Sequence, residues 1–367
     1  MKNSLLYFFL FLFSAISSQE KKPSTVKSTY FQLDYFYGNI LSQDGVKHLI
    51  SGHPKGLLLS WNKRTFGEQL WEQNFNYPDV GFSFGYQDFE NKSLGKLYAL
   101  YTHYNFYFLK RNLIFSTGTG VAYSTNPYDK ITNNKNVSLA THINSTSFFK
   151  LLYQREHLFQ NIGIQAGFTF IHASNASIKA PNRGINTWGV NLGLNYDLNN
   201  EPQKFIRKLD TVNYREPIRF NASFLTGVNE SDHIGTGIKP FIILSFFADK
   251  RLNRKNAIQF GTELNLHYYL KDYIKFQYVF NGDVERTNFP DWKRIGLFVG
   301  HELFINKTSF ITQLGYYVYS PAILNEGIYE RIGFKRYFNN PSYYASITLK
   351  AHFVNAESLE FGIGYRF

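Results

Sequence analysis

The chain has no cysteine, so disulfides, a thiol nucleophile and a cysteine-linked lipid anchor are all excluded. Beyond its first residues it offers no apolar run long enough for a membrane helix. Helical periodicity never persists, which excludes a helix bundle. A phosphate-cradling glycine loop is missing, and so is any nucleic-acid-binding motif; the basic residues are scattered through turns rather than gathered on one element. Residues at metal-ligand spacing are also absent, since Asp232-His233 sits in a loop without further ligands. No metal, cofactor or nucleic-acid partner is therefore expected.

What the sequence does contain is aromatic. Aromatics make up 19% of residues while mean hydropathy is slightly negative, at -0.29. A membrane barrel, aromatic and aliphatic outside and polar inside, accounts for both values better than a soluble core does. The formal charge is +12, which suits either a solvated basic surface or a protein set among anionic lipid head groups. Lys2, the apolar run Leu5 to Phe13 and the small residues Ser14, Ala15, Ser17 and Ser18 have the layout of a secretory signal peptide over 1–18. The expected organisation is a signal peptide followed by an outer-membrane β-barrel over 19–367.

Period-two alternation supports this all-β reading. Tyr98, Leu100, Thr102, Tyr104, Phe106 and Phe108 share one face of a strand. Leu113, Phe115, Val121 and Tyr123 do the same opposite Ser116, Gly118, Gly120 and Ala122. Later, Ile218, Phe220, Ala222 and Phe224 oppose Arg219, Asn221 and Ser223. Tight turns at Lys110-Arg111-Asn112, Asn306-Lys307 and Asn339-Asn340-Pro341 contrast with long connections at Thr125 to Asn136, Lys271 to Pro290 and Pro321 to Glu326. Outer-membrane barrels have that rhythm of short periplasmic turns and longer outward loops. The last strand, with Phe361, Ile363, Tyr365 and Phe367 on alternate positions, resembles the assembly signal of such barrels. About sixteen antiparallel transmembrane strands are expected. One closed barrel leaves no sheet edge exposed and is the preferred architecture. The alternative is two eight-stranded units divided by the connection Asn199 to Glu216, a 27–198 half and a 216–367 half.

The stretch Gly163 to Leu198 reads as strand, loop and strand, and holds the only plausible chemistry. Ile164, Ala166, Phe168 and Phe170 form an apolar row that His172 and Ser174 continue. In the returning strand, Asn186 begins the row Trp188, Val190, Leu192, Leu194 and Tyr196. Three polar groups thus occupy the apolar face of a hairpin at its looped end. Residues two apart on a strand lie roughly 7 Å apart on one face, close enough for an imidazole to reach a hydroxyl. Ser174 is the candidate nucleophile, His172 its general base, and Asn186 the group that orients the imidazole. The inward face loses its polar character only at Ile171 and Ala173. Elsewhere, His142 and Asn144 are expected to line the lumen, and parity puts His352, in a faint echo of the same motif at Leu349 to Glu357, inside.

His172-Ala173-Ser174-Asn175-Ala176 followed by Pro181-Asn182-Arg183-Gly184-Ile185-Asn186 is similar to the HxSNA and PNxG signatures of the PagL-type lipid A 3-O-deacylases. These are outer-membrane barrels that hydrolyse an ester-linked acyl chain of lipopolysaccharide. The resemblance implies an outer-membrane serine esterase, with lipid A and outer-membrane lipids as its partners. It further implies an oxyanion or substrate-binding role for Asn182, with Asn175 and Ala176 beside it as backbone donors. The position of Asn186 is a glutamate in the best-known members of the family; the amide lacks the charge that would stabilise an imidazolium but still accepts the ring proton. Two other functions stay open: a catalytically inactive, structural or porin-like barrel, and an outer-membrane phospholipase using the same chemistry.

Overall fold

The computed structural model describes residues 28–43, 45–198, 204–207, 214–322, 327–353 and 355–367. The segment read as a signal peptide lies outside the described residues. Sixteen antiparallel strands fill most of the rest, and within each of two sets of eight every neighbour in sequence is a neighbour in space.

The first set is β1 (Thr29–Ile40), β2 (Lys55–Lys63), β3 (Asp79–Asp88), β4 (Lys96–Phe108), β5 (Leu113–Ser124), β6 (Ile143–Phe159), β7 (Ile162–Ser174) and β8 (Ile185–Asp197). It closes on itself where β1 pairs β8, from Tyr30↔Asp197 to Ile40↔Thr187. The second is β9 (Arg219–Asn229), β10 (Lys239–Arg251), β11 (Asn256–His267), β12 (Arg294–Ile305), β13 (Thr308–Tyr319), β14 (Ile328–Tyr337), β15 (Tyr343–His352) and β16 (Asn355–Arg366). It closes where β16 pairs β9, from Phe361↔Thr226 to Arg366↔Asn221. The sixteen strands of the sequence reading are therefore present, but as two eight-stranded barrels and not as one. Both arrangements satisfy every edge. The inward side chains account for the smaller closure, because an eight-stranded barrel is just wide enough for them to fill it.

They fill it with paired charge. In the first barrel Lys150 Nζ lies 2.7 Å from Asp34 Oδ2, both buried. In the second, Arg331 pairs with Glu263 and Glu360 at 2.6 Å each, Lys350 reaches Glu263 at 2.9 Å and Lys335 reaches Glu302 at 3.1 Å. In a wider lumen these groups would face water across a gap. Here each carries its counter-ion, which buried charge requires.

The alternation read from sequence holds along the wall. Phe168 is 59% exposed and Leu192 65%, while the residues at alternate positions point inward, as Gln165, Thr169 and Asn191 do. Among the described residues no helix is long and apolar enough to cross a membrane. The long connection expected at Lys271 to Pro290 contains most of a 12-residue helix, Tyr269–Phe280, that buries Leu270 and Ile274. A shorter helix, Leu70–Asn74, lies in the β2–β3 connection at the opposite end.

One end of the first barrel gathers the connections 41–54, 89–95, 125–142 and 175–184. These fold inward as an apolar plug. Val46, Leu49, Phe89, Leu94 and Leu139 from the loops pack with Phe36, Leu58, Phe148, Ile171, Ala173 and Ile185 from the wall. The inward apolar residues Ile171 and Ala173, anomalous in the sequence, are thereby explained: they face this plug and not water.

Candidate active site at the looped end of β7

The β7–β8 hairpin fixes the site through its register. His172 is paired directly with Asn186 across the two strands, and both lie in the outward row with Phe170 and Trp188. Two positions along β7, Ser174 shares that face and is only 5% exposed. On the other side of the wall Ile171, Ala173 and Ile185 are locked into the plug. Thr146 Oγ1 donates to the His172 carbonyl at 2.8 Å, tying the backbone to β6.

The side chains form a line. His172 Nε2 is 3.1 Å from Ser174 Oγ, and His172 Nδ1 is 2.7 Å from Asn186 Oδ1. Asn186 Nδ2 in turn donates to Gln43 Oε1 at 3.1 Å. Gln43 Nε2 donates to the carbonyls of Arg183, at 2.9 Å, and Gly184, at 3.4 Å. This sequence of contacts removes an ambiguity, because an amide can present either its oxygen or its NH₂ to a neighbour. Backbone carbonyls only accept, so Gln43 must turn its NH₂ to them and its oxygen to Asn186. Asn186 then turns its own oxygen to His172. The ring proton sits on Nδ1, and Nε2 is left with a lone pair for the Ser174 hydroxyl. Gln43 is a part of the site that sequence reasoning missed: it lies 143 residues from Asn186, in a loop with no local pattern.

The loop after Ser174 is ordered by amides too. Asn182 Oδ1 accepts from the Asn175 N–H at 2.9 Å, and Asn175 Nδ2 donates to the Lys179 carbonyl at 2.8 Å. The buried Asn175 side chain thus organises the loop, and its N–H is already engaged. The Ala176 N–H lies 3.4 Å from Ser174 Oγ, and Asn182 Nδ2 has no hydrogen-bond partner among the described residues. Gly184 adopts a φ of +65°, and a Cβ there would stand 3.2 Å from His172 Cε1. Left-handed backbone and close approach to the imidazole both call for glycine at this position of the PNxG segment. The loop is anchored from outside by Arg183 N–H to the Val137 carbonyl and Gly184 N–H to the Ser138 carbonyl, each at 3.1 Å.

The remaining sequence candidates fall elsewhere. Asn144 is buried in the lumen as expected, but His142 is not: it precedes β6 at the rim, where its Nδ1 lies 2.8 Å from the Ser124 carbonyl oxygen and its ring stacks on Tyr123. Strand parity does not extend to a residue outside the strand. His352 is inside the second barrel, 3.3 Å from Glu357. His233 rests against Tyr273 and Phe276, and no group of three or more potential ligands gathers among the described residues.

Closed antiparallel barrels with an apolar outer belt and a filled interior define the class, an outer-membrane-type β-barrel. Residues 55–195 match the lipid A 3-O-deacylase (PagL) family and residues 218–367 match the acyloxyacyl hydrolase C-terminal domain. The chain belongs to the PagL family of lipid A 3-O-deacylases, which are carboxylic ester hydrolases. The two matches together span most of the first barrel and all of the second. No curated protein matches the chain. Among solved structures, the outer membrane protein Omp33 of Acinetobacter baumannii is 8% identical, with 93% of this chain and 99% of that one covered and a TM-score of 0.19. A mutant porin of Rh. blastica is 9% identical over 93% and 100%, with a TM-score of 0.18. Scores this low carry no weight, and the fold rests on the strand pairing itself.

Proposed function

We propose that this protein is an outer-membrane serine esterase that removes an ester-linked acyl chain from lipid A, with Ser174 as nucleophile, His172 as general base and Asn186 as the orienting group. The observation that carries the proposal is the unbroken line from Ser174 Oγ through His172 to Asn186 Oδ1 on the lipid-facing side of the wall. A lipid substrate already resides on that side, so its ester need not cross the barrel to reach the hydroxyl.

In this reading Ser174 donates its proton to His172 Nε2 as Oγ attacks the ester carbonyl. The imidazolium so formed donates through Nδ1 to Asn186, and the tetrahedral oxyanion is met by Asn182 Nδ2 and the Ala176 N–H. His172 then returns the proton to the departing sugar oxygen, leaving the acyl group on Ser174. A water molecule, deprotonated by the same Nε2, attacks the acyl carbon; the acyl–Oγ bond breaks, His172 returns the proton to Ser174 Oγ, and the fatty acid leaves. The neutral amide at Asn186 fixes the tautomer without contributing a charge.

A passive pore is disfavoured by the interior. Lys150–Asp34 occupies the first interior and the Arg331–Glu263–Lys350 group the second, which favours filled barrels over channels. The test is covalent labelling with a fluorophosphonate, followed by mass analysis of the peptides. An adduct on Ser174 that disappears in His172→Gln supports the assignment; labelling at another residue, or undiminished labelling in His172→Gln, overturns it.

A further inference from the structure

We infer that the second barrel is a working part of the site on the first, holding the loop after Ser174 in shape through Glu230, which acts as a positioning residue. This deepens the proposed function and rests on its assignment of Ser174 and His172.

Three contacts join the site loop to the second barrel, and a fourth fixes the Glu230 side chain that makes one of them. The Glu230 carboxylate accepts from the Ala180 N–H at 2.9 Å through Oε2, and from Gly237 N–H in its own loop at 2.9 Å through Oε1. The Glu230 N–H donates to the Ser177 carbonyl at 3.0 Å. Ser177 Oγ donates to the Ala356 carbonyl at the start of β16. Glu230 is 7% exposed, so these contacts are made away from competing water.

Their placement along the loop is what gives them consequence. Ala176, which carries one oxyanion donor, is followed directly by the clasped Ser177. Asn182, which carries the other, lies two residues beyond the clasped Ala180. Ala176 and Ser177 both adopt left-handed backbone, with φ of 53° and 61°. Side chains other than glycine hold that conformation only when their surroundings impose it. On the first barrel's side the loop has Asn175 and Asn182 to shape it. The left-handed Ser177 is held at its carbonyl and its hydroxyl by the second barrel alone among the contacts it makes. Losing the clasp would let Ala176 and Ser177 relax and carry the donor N–H away from the developing oxyanion, while the His172–Asn186–Gln43 line, anchored in β7, β8 and the 41–54 loop, would be left intact.

The test uses the full-length protein in detergent or vesicles with a lipid A substrate. Rates are normalised to folded protein by its gel mobility before heating. Glu230→Ala is expected to lower kcat about tenfold or more, the scale of a weakened oxyanion donor, with KM within about twofold and the midpoint of the kcat/KM pH profile unmoved. Glu230→Gln, which keeps one acceptor oxygen for two N–H groups, should fall between. Ser177→Ala removes a single hydroxyl and should lower kcat severalfold even if the Glu230 variants fold poorly. A kcat per folded molecule equal to wild type in Ser177→Ala and Glu230→Gln would overturn the inference, as would a shifted pH midpoint, which would locate the effect at His172. Ser174→Ala in the same assay separates the two proposals: if it stays active the site assignment fails, and if it is inactive while the clasp variants match wild type, only the clasp fails.

Discussion

At the scale of single residues, the orientation of one amide decides whether His172 can act. Were Asn186 to present its NH₂ to the ring, Nδ1 would become the acceptor and Nε2 would hold the proton, with no lone pair for Ser174. Gln43→Leu removes the group that prevents this. Its expected effect is a loss of kcat on the order of a hundredfold, the scale of a disabled general base, accompanied by a ¹⁵N NMR change of His172 toward the Nε2–H tautomer. Unchanged tautomer and rate would show that Asn186 orients itself. Gly184→Ala should act on the same ring from the other side. It places a Cβ 3.2 Å from His172 Cε1 and a side chain in left-handed backbone, at about 1–2 kcal/mol, and should reduce kcat without abolishing folding; wild-type kinetics would contradict the steric reading. Ser174, His172 and Asn186 were legible in the sequence because strand parity is local. Two of them are neighbours on one face and the third begins the row on the returning strand. Gln43 and Glu230 were not legible, since each meets the site only through closure or contact of the finished fold.

At the scale of elements, the β7–β8 hairpin is held by strand pairing between two different surroundings. Outside are lipid-exposed aromatics and aliphatics; inside, near the loops, is the apolar plug. Ile171→Ala should open a cavity in that plug and destabilise the first barrel by about 2–5 kcal/mol, read from urea unfolding in vesicles. The loss of kcat per folded molecule should be small by comparison, because His172 and Ser174 point the other way. Strands such as β4 and β7 could be read from alternation alone. The helix Tyr269–Phe280 could not, because only Leu270 and Ile274 are buried while Phe276, Val279 and Phe280 are exposed, so the sequence carries no clear apolar stripe of period 3.6.

At the scale of the whole molecule, the number of strands was legible and their closure was not. Alternation tells which face of a strand is apolar but not which edge it offers to which partner, and β8 could have paired β9 as easily as β1 by pattern. The buried ion pairs that fill each barrel decide the matter only once the strands are assembled, since Glu263, Arg331, Lys350 and Glu360 come from four different strands. Glu263→Leu leaves Arg331 and Lys350 short of a counter-ion in a buried interior, and should cost the second barrel about 3–5 kcal/mol, seen as a lower urea midpoint; an unchanged midpoint would mean that the network adds nothing to closure. The second barrel then serves the first by holding its site loop, which gives a physical reason for two barrels in one chain. The central claim, that Ser174 on the lipid-facing wall cleaves an acyl ester of lipid A, is tested most directly by the mass spectrum of lipid A from cells producing the wild-type protein or Ser174→Ala at equal folded levels. Lipid A short of one acyl chain with the wild type and fully acylated with the variant is the expected result; the same loss in both would contradict it.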